Sequence, residues 1–272
     1  MTFRTVCLIF AVAAAPAHGA MTHKYTFNDD GQVLDSVGTV NGTLVHGAAV
    51  TGGRLVFDPL INNGTNTSVL TGQYVTLPTN ILHTTSFTIE SWVRWDGGSA
   101  WQRIIDMGHP VPSGSNTIAQ GFIILSFNGA LRPIGQISLA SWGGASDTDF
   151  VTSSAIFTTG LDHMITYAHN GQTGVDNIWI DNNLRGTTTG VVVDAALANY
   201  TAFYFGRSQF DVDPFFHGSM NEIRTFDNVL TNSQVLVDYI AGPTPVPEPA
   251  AALIFAIAGP ALMVRRNRKR TN

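Results

Sequence analysis

Few residues of this sequence could carry out hydrolysis. Cleavage of a glycosidic bond needs two carboxylates that flank the scissile bond, about 5–9.5 Å apart. Residues 21–242 contain only two glutamates, Glu90 and Glu222, which are 132 positions apart in the chain. The sequence contains neither a Gly-x-Ser-x-Gly nor a His-Glu-x-x-His motif. We therefore expect no catalytic residues and no enzymatic activity, and a glycoside hydrolase is the remote alternative.

Metal-binding patterns are equally sparse. His163 and His169 could share one face of a regular strand, but the glycine at 171 suggests that His169 already lies at a turn. Two Asp-x-Asp pairs, at 147–149 and 211–213, could each present two carboxylates to a cation. Turn chemistry explains such pairs equally well. These residues therefore do not define a metal site by themselves.

Tryptophans near predicted turns are better candidates for a binding site. An aromatic ring can stack on a sugar, and neighbouring amides or carboxylates can bind hydroxyl groups. Trp95 and Trp101 flank a flexible, glycine-containing loop, and Trp142 precedes two further glycines. We predict that Trp95, Trp101 and Trp142 contact a ligand. The alternative is that these rings pack at the edge of a core.

Charge narrows the class of partner. Residues 21–242 hold 18 acidic residues against 8 basic ones, which gives this part a net charge of −10. An acidic surface argues against binding to nucleic acid and is compatible with a divalent cation. The only cysteine is Cys7, so no internal disulfide can form.

The N-terminus predicts export. One basic residue, Arg4, precedes an apolar run over residues 6–15, and small residues follow up to Ala20. This order is typical of a secretory signal peptide, which we assign to residues 1–20. Export would place the protein in the cell envelope, at the cell surface or in the extracellular matrix.

The C-terminus contains three consecutive segments. Residues 243–249 are rich in proline and predict an extended spacer. Residues 250–264 are apolar and would span roughly 22 Å as a helix at ~1.5 Å per residue, which is short for a membrane anchor. Residues 265–272 are basic and favour the cytoplasmic side.

The tail resembles the PEP-CTERM sorting signal of exported bacterial proteins. Val246, Pro247, Glu248 and Pro249 match the signature tetrapeptide, and the apolar run and basic end follow in the family's order. The resemblance implies an exosortase-type membrane enzyme as a partner that processes the tail. The membrane would then be a partner too, at least transiently, and the alternative is an ordinary single-pass anchor.

The region between these ends predicts an all-β domain. Short runs rich in β-branched and aromatic residues alternate with turn residues, as in 87–93, 121–127, 163–168 and 222–226. Glu90 alternates with apolar positions on its strand, which predicts a solvent-facing side chain. Asp181-Asn182-Asn183 indicates a hairpin. Thr231 and Gln234 form a capping-box pattern for one short helix that ends at Gly242.

The order of these segments resembles the laminin-G-like, concanavalin A-like jelly-roll family. The resemblance covers residues 23–241, and its most specific part is Phe216-His217-Gly218-Ser219-Met220-Asn221-Glu222-Ile223-Arg224. It implies a β-sandwich of two antiparallel sheets over residues 21–242, with the short helix before the spacer and a hydrophobic tail helix.

The resemblance also implies that the first and last strands lie together, often beside a structural calcium ion. The positions that match the family's oxygen ligands are Asn28 and Asn221, which are amides rather than carboxylates. Asp30 or Asp35 could supply the missing charge, so we predict one weak calcium site that uses Asn28, Asp30 or Asp35, and Asn221. The alternative is that all four are turn and strand-edge residues.

Two functions remain open at this level. The first is a non-catalytic module that binds carbohydrate, such as extracellular polysaccharide, or a surface protein. The second is a structural component of the extracellular matrix without a discrete ligand site.

Overall fold

The computed structural model describes residues 19–113, 116–127, 136–142, 149–189 and 200–244. Within these ranges the chain forms fifteen strands and one helix. The strands are β1 (Met21–Tyr25), β2 (Thr43–Val45), β3 (Ala49–Thr51), β4 (Arg54–Val56), β5 (Tyr74–Thr76), β6 (Phe87–Trp95), β7 (Arg103–Ser113), β8 (Asn116–Phe127), β9 (Gln136–Trp142), β10 (Asp149–Ile156), β11 (Asp162–Asn170), β12 (Val175–Ile180), β13 (Asn183–Thr188), β14 (Ala202–Phe205) and β15 (Gly218–Phe226). The helix is α1 (Asn232–Ala241).

The strands form two antiparallel sheets. The first has the order β13-β12-β11-β6-β15-β4-β3, and β1 also pairs with β15. The second has the order β10-β9-β8-β7-β14-β5-β2. This architecture confirms the predicted concanavalin A-like β-sandwich.

Alternation along β6 shows why these residues form a sandwich. Ile89, Val93 and Trp95 point into the space between the sheets and belong to the main core. Trp92 points to the opposite face and belongs to a second apolar cluster. Successive side chains of a strand point to opposite faces of the sheet. Because β6 carries apolar residues on both faces, other elements must pack on both faces of this sheet.

The helix α1 packs on the outer face of the first sheet. Its Val235 packs in one cluster with Trp92, Phe226 and Leu230 on the outer face of the first sheet. The capping box confirms the sequence prediction, because the side-chain oxygen of Gln234 accepts from the Thr231 N–H at 2.8 Å. The helix ends at Gly242, whose N–H donates to the Asp238 carbonyl at 2.9 Å.

Two further expectations are confirmed. The first and last strands lie side by side, with Tyr25 opposite Ile223 in the β1–β15 pair. A tight turn joins β12 and β13 at Asp181 and Asn182, which have φ values of 49° and 60°. A two-residue turn with both central residues at positive φ matches the twist of a hairpin.

Most of the predicted signal peptide lies outside the described residues. The motif, the apolar run and the basic end of the tail lie entirely outside them. Their boundaries therefore stay predictions. Among the described residues, no helix is long and apolar enough to cross a membrane.

Candidate functional site

The loop between β6 and β7 is held against the segment between β4 and β5. The Ser99 N–H donates to the Gly64 carbonyl at 2.7 Å. Gly98 has a φ of 111°, and a Cβ there would lie 2.6 Å from the Gly64 Cα, so only glycine fits. The buried Gln102 amide donates to the carbonyls of Gly97 and Ser99 at 2.9 and 3.0 Å. The loop therefore has a defined position.

Trp95 belongs to the core. Its side chain is 2% exposed and stacks on Phe127 with ring centroids 4.3 Å apart. Its Nε1–H donates to the Gln102 side-chain oxygen at 3.1 Å. A ring in this position has no face for a ligand, so we correct the prediction that Trp95 contacts one. Trp95 instead follows the alternative stated above, in which the ring packs against the core.

Trp101 has the opposite character. It is partly exposed, and its backbone has a φ of 70°. Left-handed backbone at a bulky residue is a rare conformation that costs on the order of 1–3 kcal/mol. Its N–H donates to the Phe127 carbonyl at 2.7 Å, and its carbonyl accepts from Arg103 Nη1 at 2.5 Å. These contacts hold the ring at the surface.

A buried ionic network lies behind Trp101. Arg103 is 1% exposed, and its guanidinium carbon lies 5.4 Å from the Trp101 ring centroid. Its Nε donates to Asp106 at 3.2 Å, and its Nη2 donates to Asp213 at 2.5 Å. Asp213 also accepts from the Ser208 hydroxyl at 2.8 Å. Arg103 thus connects the Trp101 loop to the loop that follows β14.

Asp106 is the most perturbed acid in this network. Burial raises its pKa to about 6, although Arg103 and the donors from Gln209 act in the opposite direction. The Gln209 N–H donates to Asp106 at 3.1 Å, and the Gln209 amide also donates to it. The carboxyl is 0% exposed, so it supports the loop rather than meeting a ligand.

The third predicted tryptophan is remote from the first two. Trp142 ends β9 and pairs with Phe122 in the middle of β8, whereas the Trp101 N–H donates to the carbonyl of Phe127 at the end of β8. At ~3.4 Å per residue, the two positions on β8 are about 17 Å apart. The structure therefore does not bring Trp101 and Trp142 together, and the Trp142 side chain lies outside the described ones.

The predicted calcium ligands do not fit as a set. Asp35 accepts from His23 Nδ1 at 2.6 Å and from the N–H groups of Lys24, Gly38 and Val40 at 2.8 to 3.1 Å. Burial opposes ionisation, but these hydrogen bonds together lower the pKa of Asp35. A carboxylate with two oxygens so occupied has no position for a cation. We therefore remove Asp35 from the predicted set.

The other three positions have different surroundings. Asp30 accepts from the Gly52 N–H at 3.2 Å, and Asn28 donates to the Thr244 carbonyl at 3.4 Å. Asn221 lies at an irregularity of β15. In the described part of the chain, no group of three or more His, Cys, Asp or Glu residues could hold a metal ion. A calcium site at Asn28, Asp30 and Asn221 stays a prediction.

The other candidate metal residues have structural partners. Asp211 accepts from the Thr117 N–H at 3.1 Å, and Asp213 is part of the Arg103 network. Asp147 and the side chain of Asp149 lie outside the description. His163 and His169 each pair with an aspartate of the β12 region, Asp181 and Asp176, at 2.5 Å. His169 lies within β11, not at a turn.

The two glutamates meet in the fold, which the sequence did not indicate. Both are 0% exposed, so the expectation of a solvent-facing Glu90 is wrong. Arg224 contacts Glu90 Oε2 at 3.6 Å and donates to Glu222. Burial, with Asp238 nearby, raises the pKa of Glu90 well above its usual range, although Arg224 opposes this. The helix α1 covers this cluster, so a carboxylate pair exists without access for a substrate.

A pocket of about 480 Å³ lies at the C-terminal end of α1, and no sequence pattern indicates it. Trp92 and Tyr239 form aromatic walls, and Asp162 and Asp181 add carboxylates. Asp162 pairs with Arg54, and Asp181 accepts from His163 and from the Met164 N–H. The tryptophan of this pocket is buried, whereas Trp101 is partly exposed, so we place the candidate ligand surface at Trp101 instead.

Comparisons with known proteins agree with this fold. A family model described as the concanavalin A-like lectin/glucanases superfamily matches residues 69–236. A comparison with curated proteins found no match.

Solved structures of similar fold have low sequence identity to the chain. Domain 4 of AbnA, a GH43 extracellular arabinanase from Geobacillus stearothermophilus in complex with arabinotriose, has a TM-score of 0.58 and 17% identity, over 81% of this chain and 98% of that one. A Trypanosoma rangeli sialidase in complex with sialic acid has a TM-score of 0.56 and 13% identity, over 84% of this chain and 34% of the sialidase. At these identities the likeness shows the fold alone.

Proposed function

The chain belongs to the concanavalin A-like lectin/glucanases superfamily, and we propose that residues 21–242 form a non-catalytic module that binds carbohydrate through a surface centred on Trp101. Carbohydrate is the partner we favour over a surface protein. A superfamily that includes lectins and glucanases supports this choice of class, and it does not identify the sugar.

The observation that carries the proposal is the conformation of Trp101. Its left-handed backbone is unfavourable by itself, and the surrounding contacts hold it in place. Strained residues that are held this way cluster at ligand-binding positions. The result here is a large aromatic ring at the surface, where one face can stack on the apolar face of a sugar.

Polar groups beside the ring suit the hydroxyl groups of a sugar. The Asp213 side chain is 14% exposed and binds Arg103, whose guanidinium lies over the Trp101 ring. Ser99 is exposed in the same loop as Trp101. Aromatic surface combined with a small number of positioned polar groups is typical of a small-ligand site. That a similarly folded arabinanase domain was solved with arabinotriose makes arabinose-containing glycans a sensible first probe.

We further propose that the module is exported and sorted. The predicted signal peptide, 1–20, would direct export, and the PEP-CTERM-like tail, 243–272, would direct the protein to an exosortase-type enzyme in the membrane. The apolar run, 250–264, would hold the tail in the membrane before processing. The protein would then act in the cell envelope, at the surface or in the matrix.

The experiment that tests binding measures retention of the protein on a glycan panel. The panel contains arabino-oligosaccharides and the extracellular polysaccharide of the producing organism, and released reducing ends are assayed in parallel. We expect saturable retention without new reducing ends. No retention on any glycan would favour a structural or protein-binding role, and new reducing ends would show that the protein is an enzyme.

A variant locates the site. Loss of a stacked aromatic ring removes on the order of 2 kcal/mol, which is roughly a 30-fold rise in Kd, so Trp101→Ala should weaken binding by about this factor. Tyr239→Ala is the matched control, because Tyr239 is 41% exposed and lies on α1, on the first sheet. If Trp101→Ala and the unmodified protein bind the glycan with equal affinity, Trp101 does not belong to the binding site.

A further inference from the structure

The outward face of α1 is apolar from Leu236 onwards. Leu236, Val237 and Ile240 are 41%, 39% and 74% exposed, and their spacing of three and four residues places them on one side of the helix. The only charged residue in 232–241 is Asp238, which is turned towards the sheet and lies 3.6 Å from Arg224. The exposed side of α1 therefore carries no charge.

Such a helix is unusual at a protein surface. Helices that cover a core normally present polar and charged residues to water, and helices that are apolar all round are buried. Among the described residues, ten large apolar side chains are exposed, and four of them lie in α1. The fourth is Tyr239, at the edge of the same face. This concentration indicates a surface that something covers.

The described chain ends three residues after α1, against the first sheet. The Thr244 N–H donates to Glu222 Oε2 at 2.8 Å, and Arg224 Nη2 donates to the Gly242 carbonyl at 3.0 Å. Asn28 adds a contact to the Thr244 carbonyl at 3.4 Å. These bonds fix the point at which the spacer leaves the domain, immediately after α1.

The spacer is short. Residues 245–249 reach about 16 Å if extended at ~3.1 Å per residue, as proline-rich segments are. The apolar run begins at Ala250. The headgroup layer on one side of a bilayer is on the order of 5–8 Å thick. If residues 250–264 lie in the hydrocarbon, α1 therefore lies within reach of the lipid headgroups.

We propose that the α1 face formed by Leu236, Val237, Tyr239 and Ile240 docks on the lipid interface of the membrane that holds the tail. This inference rests on the proposed membrane insertion of residues 250–264. An uncharged apolar face can enter the interface without desolvating a charge. Tyr239 adds a side chain that favours the headgroup level. Docking would fix the orientation of the β-sandwich above the membrane.

The charge of the domain predicts a lipid preference. The face lacks Lys and Arg, and residues 21–242 carry a net charge of −10, so anionic lipids should repel the domain. Docking should therefore be stronger on zwitterionic than on anionic vesicles. Most interfacial helices, which are rich in basic residues, show the reverse preference.

The experiment uses the full chain with Cys7→Ser, reconstituted in phosphatidylcholine vesicles. Single-cysteine variants Ile240→Cys, Ala256→Cys and Leu60→Cys are labelled with an environment-sensitive fluorophore, and quenching by spin-labelled lipid is measured. Leu60 is the matched control because it is 88% exposed and lies between β4 and β5. Ile240 is exposed enough for the substitution to leave folding intact, which urea denaturation checks.

We expect lipid quenching at positions 240 and 256 but not at 60. We also expect a loss of quenching at 240 alone when phosphatidylglycerol is added. Quenching at 256 without quenching at 240 would overturn the docking and leave the anchor intact. Absence of quenching at 256 would instead overturn the proposed insertion of the tail. Shielding of 240 that needs no lipid and rises with protein concentration would show that a second copy covers α1, which also overturns the proposal.

Discussion

The substitution Asp106→Asn tests whether the buried network behind Trp101 behaves as its geometry indicates. Asp106 is 0% exposed and accepts from Arg103 and from two donors of Gln209. Burial raises its pKa from 3.8 to about 6 in spite of these contacts. Asparagine has nearly the same shape but does not titrate, so the variant removes the ionisation without emptying the site.

The shift sets the size and the sign of the expected effect. Between pH 3.8 and about 6, the folded protein holds a proton on Asp106 that the unfolded chain has released. Stability must therefore fall as pH rises through this window. A shift of about two pKa units corresponds to about 3 kcal/mol at ~1.4 kcal/mol per unit. Below the window the carboxyl is protonated in both states, and well above it the difference is constant.

The assay is urea denaturation of both proteins at several pH values from 3 to 7. Other acids change the stability of both proteins alike, so the quantity of interest is the difference in unfolding free energy between them. We expect the original protein to lose about 3 kcal/mol relative to Asp106→Asn between pH 3 and pH 7. The amide and the protonated carboxyl differ in how they bond to Arg103 and Gln209, and this changes only the offset of the difference. A difference that stays flat with pH, or that rises with it, would refute the reasoning.

Two further predictions concern the other buried carboxylates and calcium. Arg224→Met should lower the unfolding free energy by about 3–5 kcal/mol in urea denaturation, because it leaves Glu222 and Asp238 without their shared cation. Arg94→Met, whose side chain is 48% exposed, should change stability little, and equal losses in the two variants would contradict this account. If Asn28, Asp30 and Asn221 form the predicted weak calcium site, the melting temperature should be higher in excess calcium than in chelator. Asp35 takes no part, because it already accepts five hydrogen bonds. Identical melting temperatures in the two solutions would refute the site.

Local patterns in the sequence were sufficient to predict the strands, the turn and the helix cap of the sandwich. The β-turn at Asp181 and the capping box at Thr231 depend on residues within a few positions of one another, and both are present as expected. The strands could be predicted for the same reason, since alternation is a local property. The resemblance to the concanavalin A-like family added the pairing of the first and last strands, which no local pattern reports.

The wrong predictions for Glu90 and Trp95 share one physical cause: each side chain is buried by residues that are distant in the sequence. Alternation predicted that Glu90 faces solvent, and it does point away from the main core, but α1 lies over it almost 150 residues later. The same cover brings Glu222 and Asp238 to Arg224. Trp95 was expected at the surface because it precedes a turn, yet Phe127 and Gln102 enclose it. Pairing across strands decides such cases, and single-sequence patterns do not contain it.

Trp92 and Trp101 share one arrangement with different consequences. In each case a buried arginine lies over the tryptophan ring and binds two or more carboxylates: Arg224 over Trp92 at 4.3 Å, and Arg103 over Trp101, in the loop before β7, at 5.4 Å. Trp92 is 6% exposed beneath α1, so its arginine serves the packing of the helix. Trp101 has no such cover among the described residues and remains partly exposed. The same support, placed under an uncovered ring with a left-handed backbone, is the reason to expect the ligand at Trp101 and not at the pocket beside Trp92.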